Sequence, residues 1–80
     1  MNANNTFDEK LGLRLRQIRK EHKLSMADVG KKIGCTKQMI SLYELGKSAL
    51  SVEQLKKICS IYDIKYYDII REVGRMIDEI

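Results

Sequence analysis

Apolar residues recur at helical spacing along most of this chain. Leu11, Leu15 and Ile18, for example, lie at i, i+4 and i+7, which places them on one face of an α-helix. No stretch shows the alternation of apolar and polar residues that is typical of a strand. The chain also has no proline and only five glycines. The pattern therefore predicts an all-α fold of short amphipathic helices.

Capping signals set the bounds of five predicted helices. A serine or threonine precedes four of them, and three of these have an acidic residue or glutamine three positions on, which is typical of a capped N-terminus. These N-cap signals are Thr6 with Glu9, Ser25 with Asp28, Thr36 alone, and Ser51 with Gln54 as a further capping box. Gly34 and Gly46 end the second and third helices. Four of the predicted helices span residues 7–22, 26–32, 37–45 and 66–79, and the fourth in chain order follows Ser51 and precedes a predicted turn at residues 63–65.

The segment from Ser25 to Gly46 carries most of the functional information. Its two short helices are joined by a turn at residues 33–36 that contains glycine. This is the sequence form of a helix-turn-helix, whose second helix enters the major groove of DNA. Gly30 predicts a close approach of that second helix near Ile40.

Further motifs occur in order over most of the chain. They are Leu11-Gly12, Ile18-Arg19, Leu24-Ser25, Ile33-Gly34-Cys35-Thr36, Ile40-Ser41-Leu42-Tyr43-Glu44, Gly46-Lys47, and Ser51 with Leu55, Lys57 and Ile58. With them, the chain resembles the phage-repressor and Cro-like helix-turn-helix family (xenobiotic response element type) over about residues 11–70. The resemblance implies a compact five-helix repressor-like domain at residues 7–70. We expect a disordered tail at residues 1–6 and a C-terminal helix extension at residues 71–80.

The resemblance also implies which side chains contact base edges. Lys37, Gln38 and Leu42 match family positions that do so, and Ser41 shares their exposed face of the third helix. Lysine donates to guanine O6 or N7, and glutamine makes paired bonds to adenine N6 and N7. Serine bonds either kind of edge, and leucine packs on a thymine methyl. The alternative is that these residues form an ordinary solvated face.

Phosphate contacts are expected at both helix N-termini of the motif and just beyond its second helix. Free N–H groups and the helix dipole favour an anion at Ser25 and Thr36. Lys47 and Ser48 follow the second helix and should lie along the DNA backbone. Arg14 is a further candidate, for which a solvated position is the alternative.

Two other family positions imply a structural role first and a contact with DNA second. An arginine and a glutamate at the places of Arg19 and Glu44 pair between the first and third helices, which would fix the recognition helix.

Three residues depart from the family pattern. Met26 and Leu45 replace a common glutamine and asparagine, and Lys23 occupies a turn position where glycine is common, at some conformational cost.

The C-terminal helix predicts a partner. Its apolar stripe recurs at i, i+4, i+7, i+8 and i+11 and consists of Ile69, Val73, Met76, Ile77 and Ile80. We expect a homodimer with this stripe in its interface, and packing against the domain's own core is the alternative. Two-fold symmetry would place two recognition helices about 34 Å apart on a palindromic operator.

Charge distribution favours nucleic acid as the partner. Residues 1–47 hold ten Lys or Arg against five Asp or Glu, whereas residues 48–80 hold five against six. The balance is therefore +5 in the first part and −1 in the second, as expected if the first part meets a polyanion.

Several function classes are disfavoured. Cys35 and Cys59 are 24 positions apart and His22 is the only histidine, which does not fit a zinc site. No nucleophile is placed with a base, so we expect no enzyme, no cofactor and no small-molecule ligand. We expect no membrane span. The protein is expected to be of prokaryotic or phage origin, cytoplasmic, and associated with the nucleoid when it is bound to DNA. The prediction is a sequence-specific regulator of transcription that binds double-stranded DNA, with a protein-interaction module (an adaptor or antirepressor) as the alternative.

Overall fold

Five α-helices make up the fold in the computed structural model, which describes residues 6–78. They are α1 (Phe7–Glu21), α2 (Met26–Ile33), α3 (Lys37–Leu45), α4 (Val52–Ile61) and α5 (Tyr66–Asp78). The all-α prediction is confirmed, the first three helices agree with the predicted bounds to within one residue, and α4 lies between Ser51 and the predicted turn. The predicted last residue of α5, Glu79, lies outside the described part of the chain.

The N-caps form as predicted, with one exception. Thr6 and Ser25 each exchange hydrogen bonds with the residue three positions on, which completes a capping box at α1 and at α2. Thr6 is therefore part of the fold and not of a tail, while residues 1–5 lie outside the described range. Ser51 accepts from the backbone N–H of Gln54 at 3.0 Å, but the reciprocal bond of the predicted box is not formed.

Two non-glycine residues adopt the left-handed conformation, one after α1 and one after α4. Lys23 has φ 57° and Asp63 has φ 58°. The next residue in each case closes the helix, since Leu24 N donates to Arg19 O at 3.1 Å and Ile64 N donates to Cys59 O at 3.0 Å. These are Schellman ends, at which glycine is the usual residue. The conformational cost predicted at Lys23 is thus present.

The core takes residues from all five helices. α1 packs on α3 and α5, α2 packs on α3 and α4, and α4 packs on α5. The buried apolar residues are Leu11, Leu15, Ile18, Val29, Ile33, Ile40, Tyr43, Leu55, Ile58, Cys59, Tyr62, Ile69 and Val73.

The position of α5 corrects the predicted dimer interface. Ile69 and Val73 are 2% and 0% exposed, because α5 packs them against the domain's own core. Of the remaining stripe, Met76 is 49% exposed and Ile77 is partly buried against the core, whereas Ile80 lies outside the described residues. The predicted boundary at residues 70 and 71 falls inside α5, so the extension continues the core helix.

Candidate nucleic-acid interface

The turn between α2 and α3 is compact for two local reasons. Gly34 ends α2 in the left-handed conformation, with φ 80°. Cys35 N then donates to Gly30 O at 2.8 Å, which folds the turn back onto α2. A β-carbon on Gly30 would lie 2.5 Å from Cys35 O. Gly30 therefore allows the close approach of the turn, since the nearest atoms belong to Cys35 and Thr36 and not to Ile40, the residue near which the sequence predicted the approach.

One face of α3 points inward and the opposite face is open. Ile40 and Tyr43 are 2% and 8% exposed, which fixes the rotation of the helix. The four predicted base-contact residues lie on the outward side: Lys37, Gln38 and Leu42 are exposed and Ser41 is partly exposed. The structure thus brings Lys37, Gln38, Ser41 and Leu42 together on one surface, which we call the α3 face.

A buried ion pair holds the end of α3 against α1. Arg19 Nε donates to Glu44 Oε2 at 2.7 Å, and Arg19 Nη2 donates to Glu44 Oε1 at 3.1 Å. A third bond runs from Arg19 Nη1 to Leu24 O at 2.9 Å. The hydrogen bond to Glu44 raises the pKa of Arg19 above its ordinary value, so the guanidinium stays cationic. This is the two-bond pair that the sequence predicts, and it sets the orientation of α3.

Close backbone packing reinforces that junction. A β-carbon on Gly12 of α1 would lie 2.5 Å from Glu44 O and even nearer to Tyr43 O. Only glycine therefore lets α1 cross the end of α3 at this distance. Gly46, with φ 74°, ends α3 and lies against Glu9 of α1 in the same way.

The two helix N-termini of the motif differ in their electrostatics. At α2, the carboxylate of Asp28 accepts from Ser25 N at 2.9 Å, and this bond lowers the pKa of Asp28. A negative charge thus already occupies the N-terminus of α2, which disfavours a phosphate there. The first turn of α3 has no acidic residue, and Thr36 Oγ1 accepts only from Met39 N, at 3.1 Å. The N-terminus of α3 is therefore the better anion site of the two.

The remaining predicted phosphate residues fall into two groups. Lys47 is exposed and Ser48 is partly exposed directly after α3, beside the α3 face. Arg14 instead pairs with Glu72 of α5, with Nε 3.1 Å from Oε2. This pair directs the Arg14 side chain toward α5, and its contact with phosphate stays a prediction.

A comparison with known families identifies the fold. The helix-turn-helix family model matches residues 15–69, which include α2, the turn and α3 as well as α4. The chain belongs to the Cro/C1-type helix-turn-helix family. Domains of this family bind DNA through the helix-turn-helix, which in this chain is α2, the turn and α3.

Two curated proteins contain a stretch similar to this chain. Antitoxin PezA of Streptococcus pneumoniae is 31% identical over 62 residues, which are 78% of this chain and 39% of the antitoxin. Glutamine–fructose-6-phosphate aminotransferase of Methanocaldococcus jannaschii is 38% identical over 65 residues, 80% of this chain. That match covers 6% of the aminotransferase, so its activity is not carried over to this chain.

Solved structures of the clp gene regulator ClgR from Corynebacterium glutamicum share the fold. One superposes with a TM-score of 0.82 at 20% identity, over 91% of this chain and 78% of the regulator. A second gives 0.79 at 22% identity, over 86% and 88%. The five-helix arrangement of this helix-turn-helix domain is thus that of ClgR.

A groove beside the α3 face was missed by the sequence analysis. It has a volume of about 640 Å³ and lies between α1 and α3, with Met26 of α2 at its edge. On α1 it is lined by Lys10, Leu13, Arg16 and Lys20, which share the helix face opposite the core residues of α1, and also by Glu9 and the buried Arg19. The groove includes Met26 and Leu45, which the sequence analysis noted only as departures from the family pattern.

Two features are absent from the described residues. Within residues 6–78 no three metal-ligating side chains come together. No helix in that range has the length and apolar character required to cross a membrane.

Proposed function

We propose that this chain is a sequence-specific regulator of transcription, most simply a repressor, which binds a palindromic operator as a homodimer. The observation that carries the proposal is the α3 face. Lys37 and Gln38 are exposed in its first turn, while the Arg19–Glu44 pair fixes the other end of the helix. Donors that are held rigidly on one helix face can be matched to a fixed set of base edges in the major groove.

The surroundings of the α3 face support contact with phosphates. Thr36, at an N-terminus free of acidic side chains, lies at one end of α3, and Lys47 with Ser48 lies at the other. Phosphate contacts at both ends would set the register of the helix in the groove. Ser25 is a weaker candidate because Asp28 shares its N-terminus.

Binding to a duplex of mixed sequence tests the electrostatic part of this proposal. The affinity should fall steeply with salt, with a log–log slope of about −0.9 for each phosphate neutralised. Lys47→Ala should reduce that slope by about one, because one cation leaves the interface. Lys65→Ala is the matched control, since Lys65 is an exposed lysine between α4 and α5 and should leave the slope unchanged. A slope equal in all three proteins would contradict the proposed interface.

The homodimer rests on a smaller surface than the sequence predicted. Met76 is half exposed near the end of α5, and Ile77 is partly buried beside it. We propose that this end of α5 meets its copy across a two-fold axis, which would add the binding free energies of two half-sites. Sedimentation equilibrium should give a dimer at tens of micromolar that Met76→Glu dissociates, and a monomer with and without DNA would contradict it.

A further inference from the structure

The groove between α1 and α3 combines an apolar wall with a basic rim. Leu13 of α1 and Leu45 of α3 are 50% and 56% exposed, and Met26 of α2 is partly buried. These side chains come from three helices and face one space of about 640 Å³. Exposed apolar residues are ordinary when scattered, but residues that converge on one groove indicate a binding surface.

The rim of the groove carries unneutralised positive charge. Lys10, Arg16 and Lys20 of α1 line it, and none of them forms an ion pair within residues 6–78. Of the two acidic residues that line the groove, Glu44 is paired with Arg19, whereas Glu9 accepts hydrogen bonds from the neutral Thr6 and keeps its negative charge. Four cationic residues against two acidic ones leave the lining with a net charge of +2. A ligand that fits would be apolar along its centre and acidic along its edge.

We propose that this groove binds an amphipathic, acidic helical segment of a protein partner. An apolar helix face fills a groove of this kind through side chains at i, i+3, i+4 and i+7. Acidic residues on the flanks of that helix would pair with Lys10, Arg16 and Lys20. A DNA backbone would satisfy the cations, but it would gain nothing from covering the leucines and methionine.

The location of the groove predicts what the partner does. Ser41 belongs to both the groove and the α3 face. A bound acidic segment would therefore lie beside the surface that faces the operator and would neutralise nearby cations. This step rests on the proposed DNA binding: the partner and DNA should compete, so the partner would release the regulator from DNA.

A defined peptide tests the groove without DNA. The probe is a labelled helical peptide of about 16 residues with leucine at i, i+3, i+4 and i+7 and glutamate on its flanks. We expect saturable binding, with NMR shift changes confined to residues around Leu13, Met26 and Leu45. The same peptide with lysine for glutamate should bind at least about tenfold more weakly, because it meets like charges.

Substitutions at exposed positions locate the contact without threatening the fold. Leu13→Asn and Leu45→Asn should each weaken peptide binding by about fivefold or more, because each removes apolar area from the wall. Val52→Asn is the matched control, as Val52 is also 56% exposed but lies on α4. Binding that is unaffected by the two leucine substitutions, or equal for the lysine peptide, would overturn the proposal.

Two further outcomes would assign the groove to a different occupant. If Leu13→Asn converts a dimer to a monomer, the occupant is a second copy of this chain. If the two leucine substitutions weaken DNA binding tenfold while no peptide binds, the groove belongs to the DNA interface. If the peptide does bind the free protein, adding it to the protein–DNA complex should displace the DNA, and simultaneous binding of both would overturn the competition. A protein that binds the peptide but no DNA would contradict only the proposed function.

Discussion

Removing one partner of the Arg19–Glu44 pair should destabilise the domain far more than removing an exposed charge. The two side chains are 9% and 8% exposed, and two hydrogen bonds of 2.7 and 3.1 Å join them. Breaking a buried pair of this kind costs about 3–5 kcal/mol. In Glu44→Ala, Arg19 keeps its bond to Leu24 O, and water can enter from the groove that Glu44 lines. We therefore expect the lower end, about 3 kcal/mol.

Urea unfolding, followed by circular dichroism, measures this cost. A denaturant slope of about 1 kcal/mol per molar converts 3 kcal/mol into a midpoint about 3 M lower. A domain of this size has a free energy of unfolding of about 4–12 kcal/mol, so the loss is a large fraction of it. Glu72→Ala is the matched control, because its pair with Arg14 is 48% and 28% exposed and should contribute less than about 1 kcal/mol.

A double variant separates the pair's geometry from its charge. Arg19→Met with Glu44→Leu leaves no uncompensated charge and fills a similar volume. Its stability should lie within about 1 kcal/mol of the original chain. If Glu44→Ala costs no more than Glu72→Ala, the pair is not buried in solution and does not anchor α3.

Three further predictions follow from the backbone and the cysteines. Gly12→Ala should lower the free energy of unfolding by several kcal/mol or prevent folding, because the added β-carbon would clash with backbone atoms of α3. Gly74→Ala, whose β-carbon would meet nothing within 4 Å, should instead stabilise the domain by about 0.5–1 kcal/mol in thermal unfolding. Lys23→Gly should stabilise by about 0.5–1 kcal/mol in urea, because it relieves the left-handed conformation, and a loss of stability would refute the Schellman end. Burial raises the pKa of the Cys59 thiol to about 11. A thiol reagent at pH 8 should therefore modify the partly exposed Cys35 first and reach Cys59 only on unfolding. Equal modification rates of the two cysteines in the folded protein would contradict the burial of Cys59.

Local signals in the sequence predicted the helices well because capping is local chemistry. Thr6 and Ser25 each need only a residue three positions away, so their caps follow from the sequence alone. The inward faces of α1 and α3 likewise follow from apolar spacing. The all-α fold and the open α3 face can therefore be predicted from the order of the amino acids.

Features that depend on packing between helices cannot be predicted in this way. The stripe that contains Ile69 and Val73 has the same spacing whether it faces its own core or a partner, and only the placement of α5 decides between them. The partner of Arg14 could not be predicted either, because Glu72 is 58 residues away in sequence and only the packing of α5 on α1 brings the two together. The groove could not be predicted from the sequence because Leu13, Met26 and Leu45 come from three different helices.

Selection of bound duplexes from a random pool tests the central claim most directly, namely that the α3 face recognises a DNA sequence. We predict a palindromic motif with half-sites about one helical turn apart, and Gln38→Ala should relax one position in each half-site. Gln17→Ala, at an exposed glutamine of α1, should leave the motif unchanged. No enrichment by a folded protein at near-physiological salt, or a motif that is identical with Gln38→Ala, would contradict the claim.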